Sequence, residues 1–222
     1  MSIVLCIAPH PDDETLGCGG SLLRHKYQGD EIHWLIVTTL DGSNKFTNEK
    51  KETRATEIKN VAKAYDFNSF HQFKYLTTEL DTIPASNLIT EISNYFKIIK
   101  PEIIYLPFAG DIHSDHRIVF DAVTASSKSF RHPYTKVLRS YETLSETEFN
   151  IDPENEAFKP NLWIDISDFL EEKIEIMKIY KGEMGEPPFP RSEENLRALA
   201  RLRGSTANFQ NAEAFITLKE YI

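Results

Sequence analysis

Ile3-Val4-Leu5-Cys6-Ile7-Ala8 is a short apolar run that leads directly into the turn Pro9-His10-Pro11-Asp12-Asp13-Glu14. A continuous apolar run of this length, bounded by turn-forming residues, predicts a strand buried on both faces. Similar runs alternate along the chain with segments of helical periodicity. The predicted strands cover residues 3–8, 32–39, 70–76, 102–108, 137–144 and 162–167, and the predicted helices cover 20–28, 48–65, 85–99, 114–127, 169–180 and 193–203. This order indicates an α/β chain with a Rossmann-like, mostly parallel sheet flanked by helices.

Length and charge narrow the classes of function. The 222 residues include 25 Lys and Arg against 34 Asp and Glu, for a formal net charge of −9. The length suits one domain, and no segment resembles a linker, so we expect a single domain over 1–222. An acidic chain without a basic stripe is a poor partner for nucleic acid, which favours a small-molecule partner.

The expected location is the cytoplasm. The two cysteines, Cys6 in the first strand and Cys18 in a glycine-rich turn, suit thiols in a reducing compartment better than a disulfide framework. No apolar stretch is long enough to predict a membrane span, and the first strand begins without the charged leader of a signal peptide.

Two polar motifs follow predicted strands. His10-Pro11-Asp12-Asp13-Glu14 follows the first strand, and His113-Ser114-Asp115-His116 follows the strand predicted over 102–108. Ligands of open α/β sheets bind outside the carboxyl ends of the strands, so both motifs can border one cleft. Imidazole and carboxylate groups are zinc ligands, and a spare carboxylate can act on water. Together the motifs predict the metal site of a hydrolase.

The motifs offer the ligands that such a site needs. A catalytic zinc usually takes three protein ligands and leaves one position for water. We expect His10, Asp13 and His116 to be the ligands, because a tight turn can point residues three apart at one ion. Asp12 would then face the open position as the general base, since zinc lowers the pKa of water from about 16 to about 7.

The remaining motif residues are assigned to the later steps. We expect His113, as a protonated imidazole, to stabilise the oxyanion that forms when water attacks a polarised carbonyl. Asp115 either holds the His113 ring or caps a turn. The leaving group takes its proton from Asp12 or from His113, and the sequence does not choose between them.

These motifs also carry a family resemblance. The chain resembles the PIG-L/LmbE-like family of zinc-dependent N-deacetylases in its His-Pro-Asp-Asp-Glu segment and its His-x-Asp-His segment. Arg54-Ala55-Thr56-Glu57 is similar to the family's R-x-x-E helix, and Ala212-Glu213-Ala214-Phe215 to its C-terminal A-E-A-F. The resemblance implies zinc as the cofactor and the same three ligands. It implies an N-acetylated amino sugar as substrate, free, glycoside-linked or nucleotide-linked, and a chain able to form a homo-oligomer.

Two arginines are candidates for substrate binding. The resemblance implies that Arg54 contacts sugar hydroxyls, whereas its spacing from Glu57 alone would suit an exposed ion pair within a helix. Arg139, in the strand predicted over 137–144, is a candidate for contacting the substrate or the reaction oxyanion, although a charged residue on an alternating strand is more often solvated.

Two alternative functions stay open. One is an amidase that acts on another N-acyl conjugate, such as a thiol-sugar adduct. The other is a non-catalytic, Rossmann-like protein that binds a sugar or a nucleotide and carries structural zinc. Structural zinc sites are usually closed by four Cys or His ligands, so the spare carboxylate of Asp12 argues against this second alternative.

Three further segments carry expectations about packing. Residues 182–190, with three prolines and two glycines, predict an irregular loop at the cleft mouth. Residues 145–160 are polar and acidic and predict an exposed loop. Gly17, Gly19 and Gly20 lack the spacing of a dinucleotide-binding fingerprint, so close packing explains them better.

Overall fold

Seven strands form one mixed sheet in the computed structural model, which describes residues 1–151 and 157–221. The strands are β1 (Ile3–Ala8), β2 (Glu31–Thr39), β3 (Ser69–Leu76), β4 (Ile103–Leu106), β5 (Val137–Tyr141), β6 (Leu162–Asp165) and β7 (Ala212–Glu220). Their spatial order is β3-β2-β1-β4-β5-β7-β6. The first five are parallel, and β7 runs antiparallel to both β5 and β6. The expected α/β fold with a mostly parallel sheet is confirmed.

Helices lie between the strands along the chain, and the first four of them connect the parallel strands. They are α1 (Asp13–Tyr27), α2 (Asn48–Ala64), α3 (Ala85–Ile99), α4 (Ser114–Ser126), α5 (Leu170–Met177) and α6 (Glu193–Ser205), with a 3₁₀ helix at Leu80–Thr82. Each predicted helix is present, but α1 begins at Asp13 rather than at residue 20, because tertiary packing overrides the low helix propensity of its glycines. Strand β7 was not predicted, since alanine and glutamate are weak strand formers.

The core lies on both faces of the sheet. Val4 and Cys6 of β1 pack on the face covered by α1, α2 and α5, whereas Leu5 and Ile7 pack on the face covered by α3 and α4. All four side chains are fully buried. The two-sided burial explains why β1 reads as an unbroken apolar run rather than an alternating one.

Helix α1 lies unusually close to the sheet. A Cβ added at Gly17 would overlap the ring of Tyr141, and α1 is kinked at Cys18, whose φ is −143°. Beyond the kink, the buried carboxylate of Glu213 accepts a hydrogen bond from the Gly20 amide at 2.8 Å. The close packing expected of these glycines is confirmed, and it ties the start of α1 to β5 and β7.

Two expectations concern segments outside the sheet. Within the described residues, none of the helices has the length and apolar character that crossing a bilayer requires. The loop predicted over 145–160 lies partly outside the described residues. The single domain expected over 1–222 also extends one residue beyond them, to residue 222. The part before residue 152 forms turns at 144–149, near the carboxyl ends of the strands.

Candidate active site

The two polar motifs meet at the carboxyl ends of β1 and β4, which are neighbours in the sheet. A cavity of about 220 Å³ opens at this edge. Its polar lining includes His10, Asp12, Asp13, Lys50, Arg54, Gln72, His113, Glu146, Glu183 and Arg191. The parallel register therefore brings residues about one hundred positions apart into one cleft.

Three donor atoms face one another at the floor of the cavity. Asp13 Oδ2 lies 3.3 Å from His10 Nδ1 and 3.3 Å from His116 Nε2. His116 Nε2 is buried and has no hydrogen-bond partner in the described part of the chain. Ligands about 2.0 to 2.1 Å from a tetrahedral zinc lie about 3.3 to 3.4 Å from one another. The donor set fits a divalent metal ion.

Carboxylates hold the outer nitrogens of both imidazoles. Asp111 Oδ2 lies 2.8 Å from His116 Nδ1, and Asp115 Oδ2 lies 3.0 Å from His10 Nε2. Outer carboxylates of this kind fix the orientation of metal-binding histidines. Asp115 was expected to hold the His113 ring or to cap a turn; its carboxylate instead holds His10 and accepts from the Thr78 amide at 2.8 Å.

The carboxylates of this cluster favour the protonated forms of His10 and His116. Burial opposes a charge on His10, but hydrogen bonds to Asp115 and Asp13 raise its pKa to about 9. Burial likewise opposes a charge on His116, but Asp13 and Asp111 raise its pKa. Burial favours protonation of Asp13, yet the two histidines hold its pKa well below the ordinary value. A metal ion would therefore displace protons from the histidines when it binds.

Asp12 occupies a special backbone position between β1 and α1. Its φ is 129°, a left-handed value that is costly for a residue with a side chain and is typical of functional sites. The side chain is buried against the cavity and makes no hydrogen bond in the described part of the chain. Burial, Asp13 and Glu183 raise its pKa. Glu14 fixes this turn by accepting from the Asp12 amide at 3.1 Å and from the Tyr180 hydroxyl at 2.7 Å.

His113 borders the same cavity as a neutral ring. Its Nδ1 accepts the Asp115 amide at 3.1 Å, so the hydrogen bond assigns the ring proton to Nε2. Burial and the nearby His10 and His116 lower the pKa of His113 to about 4. Such a pKa favours a neutral ring at neutral pH over the protonated imidazole expected from the sequence, and the neutral Nε2–H remains a hydrogen-bond donor.

Arg54 is buried rather than exposed on α2. Its Nη1 donates to the Pro11 carbonyl at 2.7 Å, its Nη2 pairs with Glu183, and its Nε lies 3.1 Å from Glu57 Oε2. The guanidinium also lies 5.4 Å from the centre of the Tyr180 ring. The contact with Pro11 attaches Arg54 to the turn that carries Asp12.

The structure does not place Arg139, expected to contact the substrate or the reaction oxyanion, among the residues that line this cavity. Along β5 its side chain lies on the face covered by α1, two residues before the strand ends. There it donates from Nη1 to the Tyr105 hydroxyl at 3.1 Å and lines a different cavity.

Sequence reasoning missed four charged residues of the cavity wall, Lys50, Glu146, Glu183 and Arg191. Glu183 and Arg191 form an ion pair at 3.1 Å, at either end of the loop over 182–190 that was expected at the cleft mouth. Glu146 also lines the cavity, next to Ser145, whose hydroxyl accepts from Arg191 at 3.0 Å, and burial raises the pKa of Glu146 to about 7. The sequence pointed to the cavity wall only through the proline-rich loop over 182–190. Glu146 gave no such signal, because it lies in a polar stretch without periodicity. Asp111, beside His116, was also given no role.

The chain is similar to proteins of known or named activity. Residues 5–127 match the model of the PIG-L family, described as GlcNAc-PI de-N-acetylase. The diacetylchitobiose deacetylase of Thermococcus kodakarensis is 27% identical over 229 aligned residues, which cover 95% of this chain and 80% of that protein.

Two solved structures share the fold. The N,N'-diacetylchitobiose deacetylase of Pyrococcus horikoshii superposes with a TM-score of 0.77 at 20% identity, over 97% of this chain and 83% of that one. The 4-carboxy-2-hydroxymuconate hydratase GalB of Pseudomonas putida KT2440 superposes with a TM-score of 0.75 at 16% identity, over 100% and 98% of the two chains. Because a hydratase shares it, the fold by itself does not fix the reaction.

Proposed function

This chain belongs to the PIG-L family of de-N-acetylases, and we propose that it is a zinc-dependent hydrolase that removes the acetyl group from an N-acetylated amino sugar. We propose that residues 1–222 act as one deacetylase domain. The observation that carries the proposal is the set of three facing donors on His10, Asp13 and His116 beside the unbonded carboxylate of Asp12.

We propose that His10, Asp13 and His116 hold the metal ion. A bound divalent metal would polarise the acetamide carbonyl and lower the pKa of water at neutral pH. Two nitrogens and one carboxylate would also accept ferrous iron or cobalt. We propose zinc because these donors suit it and because the chain resembles zinc-dependent N-deacetylases. Asp111 and Asp115 would orient the two imidazoles from outside.

Asp12 is the proposed general base. Its raised pKa brings it nearer to the value at which a carboxylate both accepts a proton from water and returns it. His113 has a pKa of about 4 and is neutral, so its Nε2–H suits hydrogen bonding to the oxyanion better than proton delivery. We therefore assign the proton transfer to the leaving amine to Asp12 as well.

The sugar would occupy the outer part of the cavity. Glu146 and the Glu183–Arg191 pair line the cavity and supply acceptors and donors suited to sugar hydroxyls. Arg54 is buried beside this pair, in contact with Glu183, and is proposed to position the Asp12 turn through Pro11. A relative's activity on diacetylchitobiose supports an amino sugar as the substrate class.

Acetate release tests the proposal directly. Zinc-loaded protein would be incubated with N-acetylhexosamines, their glycosides including diacetylchitobiose, and their nucleotide conjugates. We expect acetate from at least one class, loss of release after chelation, and recovery when zinc is restored; cobalt and ferrous iron would be compared in parallel. No acetate from any class while the metal stays bound would overturn the proposal and favour another N-acyl conjugate or a binding protein.

We further propose a cytoplasmic location and a small-molecule partner. Cys6 and Cys18 are free, and their Sγ atoms lie 3.4 Å apart without a disulfide, which suits a reducing compartment. The family resemblance leads us to propose a homo-oligomer, which light scattering of the purified protein would test.

A further inference from the structure

A second cavity, of about 290 Å³, lies on the face of the sheet covered by α1. It is lined by α1, β5 and β6, and none of its lining residues belongs to the candidate active site. The residues that matter here are Ser21, Arg24, Arg139, Trp163, Asp165 and Phe209. We call it the arginine cavity.

The two arginines of this cavity lack acidic partners. Arg24 donates to the backbone carbonyl of Asp165 at 3.0 Å, and Arg139 donates to the Tyr105 hydroxyl at 3.1 Å. Neither forms an ion pair within residues 1–151 and 157–221. The one carboxylate in the lining, on Asp165, accepts from the Ser167 hydroxyl at 2.6 Å. Both guanidinium groups therefore border the cavity with only neutral partners, a carbonyl and a hydroxyl.

Three polar atoms in the wall also lack partners. Ser21 Oγ, Arg139 Nε and Trp163 Nε1 are buried and make no hydrogen bond to any described residue. Ser21 is fully buried, yet it contributes to the lining of the cavity. These three atoms are inaccessible, so a ligand in the cavity would meet the terminal guanidinium nitrogens of Arg24 and Arg139 instead.

We propose that the arginine cavity binds an oxyanion, a phosphate or a carboxylate, held by Arg24 and Arg139. Planar guanidinium groups donate two parallel hydrogen bonds to either anion. Trp163 and the partly exposed Phe209 add an apolar wall, so the anion can be carried by a small organic molecule such as a phosphorylated or acidic sugar. The site is separate from the reaction centre and takes a ligand independently of it.

Calorimetry on zinc-loaded protein tests this proposal with inorganic phosphate, glucose 6-phosphate and glucuronate as probes. Trp163 reports from the cavity wall, because the other tryptophan, Trp34, is fully buried in the core. We expect saturable binding of at least one probe with a change in Trp163 fluorescence. Tighter binding of glucose 6-phosphate than of phosphate would identify a sugar phosphate as the source of the anion, and preference for glucuronate would identify a sugar acid.

Variants separate this site from the metal centre, which can also bind phosphate. Arg139→Gln and Arg24→Gln should each weaken binding at least about tenfold, since each removes a charged donor. Arg201→Gln, a change on the exposed face of α6, is the matched control and should bind as the parent does. If Arg139→Gln misfolds, Arg24→Gln decides, because its guanidinium contacts only a backbone carbonyl. Absent binding, or unchanged affinity in the folded arginine variants, would overturn the proposal.

Discussion

Replacing Arg54 by glutamine tests whether this residue positions the catalytic turn or binds the sugar. The guanidinium is 7% exposed and holds the Pro11 carbonyl at 2.7 Å and the Glu183 carboxylate. Removing one partner of a buried ion pair costs about 3 to 5 kcal/mol, and a charged hydrogen bond contributes about 1.5 to 3 kcal/mol. The Glu183 side chain is still 18% exposed, so water can solvate part of its charge. We therefore expect the free energy of unfolding to fall by about 3 kcal/mol.

The kinetic result follows from the same contacts. Loss of the Pro11 contact lets the turn that carries Asp12 shift, and a shift of about 1 Å in a reacting group can cost about 100-fold in rate. For Arg54→Gln we expect kcat to fall about 10- to 100-fold, while KM changes little. Arg54→Lys keeps the charge but loses the planar fork, so it should lie between the parent and Arg54→Gln.

Urea unfolding and steady-state acetate release measure the two effects. Arg197→Gln is the matched control, because Arg197 makes ion pairs with Glu171 and Glu193 at the surface, where such pairs contribute little. Its stability and kinetics should stay close to those of the parent. An Arg54→Gln variant with a raised KM and an unchanged kcat would refute the positioning role and indicate a direct contact with substrate.

Three further predictions concern the metal site and the packing beneath it. Asp111→Asn and Asp115→Asn should each lower metal affinity about 10- to 100-fold in chelator competition, because each loses the carboxylate that orients a ligand imidazole. Metal-free protein should release protons on binding metal, since the pKa of His10 is raised to about 9. Metal affinity should therefore increase as the pH rises towards 9. Calorimetry in buffers of different ionisation enthalpy would count the released protons. Gly17→Ala should destabilise the fold by about 1 to 3 kcal/mol in urea unfolding, because the added methyl overlaps the Tyr141 ring.

Each of these predictions has a result that would count against it. Asp121→Asn, on the exposed surface of α4, is the control for the two aspartate variants and should leave metal affinity unchanged. Equal affinities in Asp111→Asn and the parent would mean that the carboxylate does not orient a ligand. Binding heats that do not depend on the buffer would argue against proton release, and a Gly17→Ala protein as stable as the parent would argue against the tight packing of α1.

The sequence predicted best where burial or chemistry imposes a strong pattern. The strand β1 is buried on both faces, so its six apolar residues stand out, and the motif that follows it needs specific ligand types. The start of α1 was missed because its glycines are chosen for close approach to Tyr141 and Ile166, not for helix propensity. Strand β7 was missed because an antiparallel strand with polar residues on one side gives a weak signal.

Partners within the site were harder to predict than the site itself. Asp115 lies within two residues of both His113 and His116, yet its carboxylate holds His10, which follows another strand. Glu183, which pairs with Arg54, arrives from a loop far along the chain. Such pairings are set by how the loops fold over the sheet edge, which one sequence does not specify. The side of β5 on which Arg139 lies depends in the same way on strand register.

The most direct test of the account is the rate of acetate release by an Asp12→Asn variant whose metal content equals that of the parent. Asparagine keeps the shape of the side chain but cannot take a proton from water, and general-base catalysis contributes about 10²- to 10⁴-fold. The account predicts a loss of kcat of that size with metal still bound to His10, Asp13 and His116. Parent-like release by the metal-loaded variant would contradict the assignment of Asp12, and with it the proposed mechanism.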